Sequence, residues 1–148
     1  EFEVEFWRFY QSGQFVHHLA LPRVERHGQP IIELGDLLYQ LTEILEFAAR
    51  LALRDIFDGS AAIHVQLNNI QGYILHVTSG LPASVRKYQS ASGSLEWKHS
   101  VPTLTLMSNA SELALDVAEQ FLKGFGYHTD RTLLAADQVR LLERRLGV

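Results

Sequence analysis

The sequence contains no cysteine, one methionine and only four prolines. The absence of cysteine excludes a disulfide framework, a thiolate nucleophile and a cysteine-ligated zinc site. Charged residues are also scarce, at 20%, and the 17 acidic residues outnumber the 13 basic ones, so the net charge is −4. This balance argues against a nucleic-acid binder that works through bulk positive charge. No run of about 18 apolar residues is present, so the sequence predicts no membrane-spanning helix.

The chain is rich in apolar residues. Of its 148 residues 47% are hydrophobic, and 8 Phe, 5 Tyr and 2 Trp are present. A chain of this length buries roughly 68–70% of the surface that its unfolded form exposes, so we expect one domain over residues 1–148. The only methionine is Met107, which leads us to expect a fragment of a longer protein. The cysteine-free composition and the acidic start, which does not resemble a signal peptide, favour a cytoplasmic location.

The N-terminal region predicts a β-hairpin. Aromatic and β-branched residues alternate from Phe2 to Tyr10, which is typical of a strand. The tripeptide Gln11-Ser12-Gly13 favours a turn, and Phe15 to Leu21 is the returning strand. The polar segment from Val24 to Pro30 predicts a loop.

The central region predicts a helix followed by further strands. Apolar residues three and four positions apart predict a long helix from Glu33 to Phe57. Period-two alternation predicts a second hairpin, from Ile63 to Leu67 and from Tyr73 to Val77. Two more short strands are expected from Leu95 to His99 and from Thr103 to Met107.

The C-terminal region predicts two helices. The first is N-capped by Asn109 and closed by Gly124 or Gly126, and the last is N-capped by Thr129 or Asp130. The last helix is expected to bury a stripe made of Ala135, Val139, Leu142 and Leu146. The order of elements predicts an α+β fold, with an antiparallel sheet of about four to six strands, the long helix packed across it and two C-terminal helices.

The first strand carries aromatic residues on both sides, because Trp7 and Phe9 alternate with Phe6. A sheet with one face in water does not need aromatic residues on both sides, so either a helix or another chain must cover the second face. We expect Trp7 and Phe9 to contact a second copy or a neighbouring domain of the same chain. Glu43 and Glu46 lie three apart on the long helix. They are candidates for an interfacial helix edge rather than for an acid–base pair.

Histidine is the one unusually frequent residue, with seven copies. Those in predicted strands are His17, His18, His64, His76 and His99. A small metal-dependent hydrolase built on them is one alternative function. Their spacing matches no known ligand pattern, so we predict neither a metal site nor a cofactor.

A nucleic-acid-binding module is another alternative. A predicted loop interleaves basic and aromatic residues, as single-strand-binding surfaces do, and the last helix ends in arginines. The candidate contacts are Arg86, Lys87 and the loop up to Trp97, together with Arg140, Arg144 and Arg145. The negative net charge makes us expect no strong nucleic-acid binding by the isolated domain.

Three segments, Phe9 to Phe15, Leu38 to Leu51 and Asp137 to Glu143, resemble the region that follows the Schlafen-type AlbA DNA-binding domain in some bacterial proteins. The resemblance implies an accessory domain of a bacterial regulatory or defence protein. The AlbA module itself has no counterpart here, so no nucleic-acid or nuclease role passes to any residue. No Gly-x-Ser-x-Gly or phosphate-binding loop is present, and no catalytic residue is predicted. The leading hypothesis is a non-catalytic accessory domain for self-association or effector sensing.

Overall fold

The computed structural model describes residues 5–21, 24–78 and 87–146. Within them the predicted α+β class is confirmed. The strands are β1 (Glu5–Phe9), β2 (Phe15–Leu19), β3 (Val24–Arg26), β4 (Gln29–Glu33), β5 (Ser60–Asn68), β6 (Ile74–His76), β7 (Tyr88–Gln89) and β8 (Ser94–Pro102), and the helices are α1 (Leu34–Ala52), α2 (Thr103–Gly124) and α3 (Arg131–Leu146). None of the helices in this part of the chain has both the length and the apolarity needed to cross a bilayer.

The strands are divided among three sheets rather than gathered in one. β1 and β2 form the predicted N-terminal hairpin, and the four-stranded sheet has the order β3-β4-β6-β7. In that sheet β4 and β6 are parallel, which departs from the expected antiparallel pattern. β5 and β8 form a long antiparallel ribbon with nine pairs.

The predicted second hairpin is wrong. β5 pairs with β8, which places Val65 opposite Trp97, whereas β6 lies beside β4 with Leu75 next to Ile32. Alternation reveals which side of a strand is buried but not which strand lies beside it. Ile70, in the connection between β5 and β6, is completely buried.

The predicted loop from Val24 to Pro30 is also wrong, because β3 and β4 form a tight hairpin there. Its two turn residues, His27 and Gly28, have φ angles of 52° and 73°. Two consecutive residues with positive φ match the right-handed twist of the flanking strands. The polar residues, with Gly28 and Pro30, indicated that regular secondary structure is interrupted here, but not that the interruption is a two-residue turn.

The segment from Thr103 to Met107 is not a strand but the first turns of α2. The predicted start at Asn109 instead marks a kink, where φ is −134° and ψ is 28°. Asparagine competes with helical hydrogen bonds through its own side chain, so it leaves a cap-like signal inside a longer helix. Similarly, α1 ends at Ala52 rather than Phe57, and Asp55 just beyond it has a φ of 55°.

The core lies where the three helices meet. α1 touches β4, but it packs most extensively on α2, with α3 alongside. The largest fully buried side chains include Leu38, Leu45, Leu106, Phe121 and Phe125. In the predicted stripe of α3, Val139 is wrong, because it is 52% exposed, whereas Ala135 and Leu142 are half-buried and the side chain of Leu146 lies outside the described residues. Leu134 and Gln138 are the buried residues of this helix.

Both predicted helix ends in the C-terminal region are confirmed. α2 closes with Gly126 at a φ of 75°, where the N–H groups of Gly126 and Tyr127 donate to the carbonyls of Lys123 and Leu122. This is the Schellman arrangement, which favours glycine at that position. Asp130 caps α3, because its carboxylate accepts a hydrogen bond of 2.8 Å from the N–H of Thr132.

Gly124 is required for a different reason, the close approach of α2 to β8. A Cβ atom on Gly124 would lie 2.7 Å from Leu95 Cδ1 and 3.1 Å from Leu95 Cγ. We expect Gly124→Val to lower the free energy of unfolding by about 1–3 kcal/mol through overpacking. Urea denaturation measures the change, and adding Leu95→Ala should recover part of it. Gly35→Val is the control, since Gly35 is also helical but has open space around it. Equal losses at both positions would contradict the packing explanation.

Candidate functional site

The β1–β2 hairpin carries the largest group of exposed apolar side chains in the described part of the chain. Trp7 is 66% exposed, Phe6 and Phe9 are each 44% exposed, and all five residues of β1 are exposed. Val16, on β2 opposite Arg8, is also exposed, at 36%. The hairpin therefore presents large apolar side chains on both of its faces.

A tight turn shapes the hairpin. The N–H of Tyr10 donates to the carbonyl of Gln14 at 2.8 Å, and the N–H of Gly13 donates to the carbonyl of Tyr10 at 3.0 Å. Gly13 has a φ of 82°, and a Cβ there would lie 3.2 Å from the carbonyl oxygen of Ile56. Only glycine is compatible with both the positive φ and the close approach to Ile56. The turn predicted from the sequence therefore also places the hairpin beside the end of α1.

One aromatic chain connects the hairpin to the helical core. The ring of Phe9 lies 6.3 Å from that of Phe15, and the ring of Phe15 lies 4.7 Å from that of Phe47 on α1. Phe15 is half-buried, whereas β1 beyond it is exposed along its length. The hairpin is thus anchored through β2, and β1 is its outer strand.

Two charged groups lie among these aromatic residues. The guanidinium of Arg8 lies 5.5 Å from the centre of the Phe6 ring and 5.7 Å from that of the Tyr10 ring. The carboxylate of Glu5 lies 3.0 Å from His17 Nε2 on β2. Arg8 therefore makes cation–π contacts within its own strand, on the same face as Phe6.

Three of the five strand histidines pair with glutamates. Each of the three sheets contains one His–Glu pair that joins neighbouring strands. The pairs are Glu5 with His17 at 3.0 Å, Glu33 with His76 at 2.7 Å and His64 with Glu96 at 3.1 Å. In residues 5–21, 24–78 and 87–146, no three His, Asp or Glu side chains are grouped to hold a metal ion.

His76 also contacts a guanidinium. Its Nε2 atom lies 2.6 Å from Arg26 Nη1, and its Nδ1 atom lies 2.7 Å from Glu33 Oε2. A guanidinium only donates hydrogen bonds, so Nε2 must accept and Nδ1 must carry the proton that is donated to Glu33. This arrangement ties β3, β4 and β6 together, and it occupies both ring nitrogens of His76.

The two glutamates proposed as an interfacial edge occupy different environments. Glu43 is exposed and accepts a hydrogen bond from the hydroxyl of Tyr39, one turn earlier on α1. Glu46 is half-buried and accepts a hydrogen bond of 2.9 Å from Ser111 Oγ on α2. Glu46 therefore joins two helices of the domain.

The candidate nucleic-acid contacts are spread over separate elements. The predicted loop up to Trp97 is wrong at its end, because Trp97 is buried within β8. Lys87 precedes β7 and donates to Gln29 at 3.0 Å, whereas Arg140 on α3 lies 3.6 Å from Asp137. Arg144, one turn after Arg140, is exposed. Arg86 and the side chain of Arg145 lie outside the described residues.

A groove of about 360 Å³ lies between β8 and α2. Its walls include Trp97 and His99, whose rings are 4.6 Å apart, and Asp116 and Gln120 of α2. The groove is open to solvent rather than enclosed.

An acidic stripe on α2 escaped the sequence analysis. Glu112, Asp116 and Glu119 lie on one face, and all three bind Arg131 at the start of α3, at 2.9, 2.8 and 3.1 Å. The pKa of Arg131 is raised above its ordinary value, mainly by the hydrogen bond to Glu112 and then by Asp116 and Glu119. The spacing of the three acids could have been recognised in the sequence, but the sequence does not show that Arg131 is their partner.

Comparisons with protein-family models, with curated proteins and with solved structures find no match to this chain. The resemblance to the region after the Schlafen-type AlbA domain therefore stays a prediction.

Proposed function

We propose that this chain is a non-catalytic accessory module of a cytoplasmic bacterial regulatory or defence protein, and that it self-associates through the β1–β2 hairpin. The observation that carries the proposal is the exposure of large apolar side chains on both faces of a two-stranded hairpin. Trp7 and Phe9 lie on one face, and Phe6 and Val16 lie on the other.

A hairpin of this kind has a physical reason to acquire a partner. Two strands alone are marginally stable in water, and three or more strands with a covered face are usually needed. Burial of exposed aromatic surface also provides the main driving force for association. A second copy of the same chain supplies both additional strands and an apolar surface to bury, because its own hairpin has the same composition.

Sedimentation equilibrium at micromolar concentration tests this proposal. The monomer has a mass of 16.8 kDa, and we expect a species of twice that mass. Trp7→Ala should weaken association by at least about tenfold, since truncation of a central aromatic anchor typically costs 2 kcal/mol or more in binding. Circular dichroism should show an unchanged fold, because Trp7 is 66% exposed.

Leu133→Ala is the matched control for this experiment. Leu133 is 63% exposed, close to the value for Trp7, but it lies on α3 rather than on the hairpin. It should leave the association unchanged. A 16.8 kDa species alone, or equal weakening by both substitutions, would contradict the proposal.

Effector sensing is a second candidate function, and the groove between β8 and α2 favours it. His99 is exposed beside the buried Trp97. Asp116 and Gln120, which also bind Arg131 and the carbonyl of Glu96, respectively, provide polar groups in the lining. A domain that acts only through this groove would be monomeric in the sedimentation experiment. Nucleic-acid binding ranks behind both functions, because Arg140 already faces Asp137 and the net charge is −4.

A further inference from the structure

We infer that two copies of this chain pair through β1 in an antiparallel register centred on Trp7, which creates a four-stranded sheet in the order β2-β1-β1-β2. This inference rests on the proposed self-association and specifies its geometry. Within the described residues, β1 hydrogen-bonds only with β2, so its other edge is available.

The edge of β1 lacks most of the features that usually prevent pairing. Edge strands are commonly blocked by charged side chains, above all lysine, by proline, by a bulge or by a covering element. The two charged residues of β1 are engaged within the hairpin, Glu5 by His17 and Arg8 by the rings of Phe6 and Tyr10. β1 has neither proline nor lysine, and its five residues pair with β2 in an uninterrupted register, from Glu5 with Leu19 to Phe9 with Phe15. All five residues are exposed, whereas both ends of β2 are half-buried. β1 is therefore the strand that a second copy can reach.

Symmetry restricts the possible registers. Residues opposite each other in an antiparallel pair point to the same face, and successive residues point to opposite faces. A twofold pairing of β1 with itself must therefore be centred on a residue and not between two residues. The possible centres are Glu5, Phe6, Trp7, Arg8 and Phe9.

Charge and strand length select one of the five centres. Centres at Glu5 and at Arg8 would set two like charges directly opposite each other, which is destabilising. Among the described residues 5–9, a centre at Phe6 pairs three and a centre at Phe9 pairs one. A centre at Trp7 pairs all five.

The contacts across this register are chemically complementary. Arg8 lies opposite Phe6 of the second copy, on the face where its guanidinium already lies 5.5 Å from its own Phe6 ring. The two Trp7 side chains meet at the twofold axis, and Glu5 lies opposite Phe9. Each arginine thus has an aromatic neighbour in both copies, which is a recognised cation–π arrangement.

Cysteine cross-linking tests the register directly, because the chain contains no cysteine. The two variants are Glu5→Cys and Phe9→Cys, which retain Trp7. The register places position 5 opposite position 9 of the second copy, but like positions lie four residues apart, or about 13 Å. That separation exceeds the reach of a disulfide, whose Cα atoms lie within about 7 Å.

The two variants are mixed, oxidised mildly and separated on a non-reducing gel, with intact-mass analysis of each band. We expect disulfide dimers that contain one copy of each variant to exceed self-linked dimers by roughly tenfold, because only positions 5 and 9 fall within disulfide reach. Leu133→Cys, at an exposed site on α3, measures linkage by random collision and should give a low yield.

Each outcome separates the register from the proposed function. Self-linked Glu5→Cys dimers in excess would overturn the register in favour of a centre at Glu5. No linkage above the Leu133→Cys level, from a protein that sediments as a dimer, would overturn pairing through β1 while self-association stands. A monomer in sedimentation would overturn both.

Discussion

Leu41→Asp should abolish the folded state. Leu41 is 2% exposed on the face of α1 that contributes to the helical core. Burial of an ionised carboxylate without a partner costs several kcal/mol, against a total stability of about 5–15 kcal/mol for a domain. We expect a far-ultraviolet circular dichroism spectrum without cooperative melting, and no native state in the absence of denaturant.

Leu104→Asp is the matched control for this prediction. It makes the same chemical change in the first turn of α2, where Leu104 is 76% exposed. An acidic residue near a helix N-terminus is favourable, so this variant should melt at or above the wild-type temperature. A cooperative Leu41→Asp transition at the wild-type midpoint would show that Leu41 does not belong to the core.

Gln138→Ala should give the second large loss of stability, about 2–4 kcal/mol, because it breaks buried hydrogen bonds and leaves a cavity. Gln138 is 4% exposed on α3, and its amide donates 3.0 Å hydrogen bonds to Thr42 Oγ1 on α1 and to the carbonyl of Ser111 on α2. One side chain therefore joins all three helices. Urea denaturation should show a lower midpoint for Gln138→Ala with little change in the slope.

A double-mutant cycle separates the hydrogen bond from the lost volume. Thr42→Val and Gln138→Leu each leave a polar partner behind, whereas the double variant makes both positions apolar. We expect the double variant to lose less stability than the sum of the two single losses, because the hydrogen bond between Thr42 and Gln138 is counted in both single losses but is lost only once. Val139→Ala is the surface control, since Val139 is 52% exposed one residue further along α3. Additive losses would show that the contact between Thr42 and Gln138 contributes little.

The candidate surface was partly readable from the sequence. Alternation placed Trp7 and Phe9 in a strand with aromatic residues on both sides, and the structure confirms a hairpin in which both are exposed. The sequence did not show that Phe15 would attach the hairpin to Phe47 through β2 and leave β1 outermost. That outcome depends on how the hairpin docks on α1, which no local pattern encodes.

The sequence by itself determined the features that arise within a short stretch of chain. The helix at Leu34–Ala52, the hairpin around Gly13 and the cap at Asp130 all depend on residues a few positions apart. Such elements follow from side-chain periodicity, from the conformational freedom of glycine and from local capping hydrogen bonds.

Only the tertiary structure decided which distant segments meet. It paired β5 with β8 rather than with β6, joined His64 to Glu96 across 32 positions, and joined Gln138 to Thr42 across 96. The physical reason is that alternation and polarity mark a buried face or a polar position without identifying the partner that will occupy it. That partner is selected by the packing of the whole core, in which one arrangement satisfies the apolar faces and the buried polar groups together.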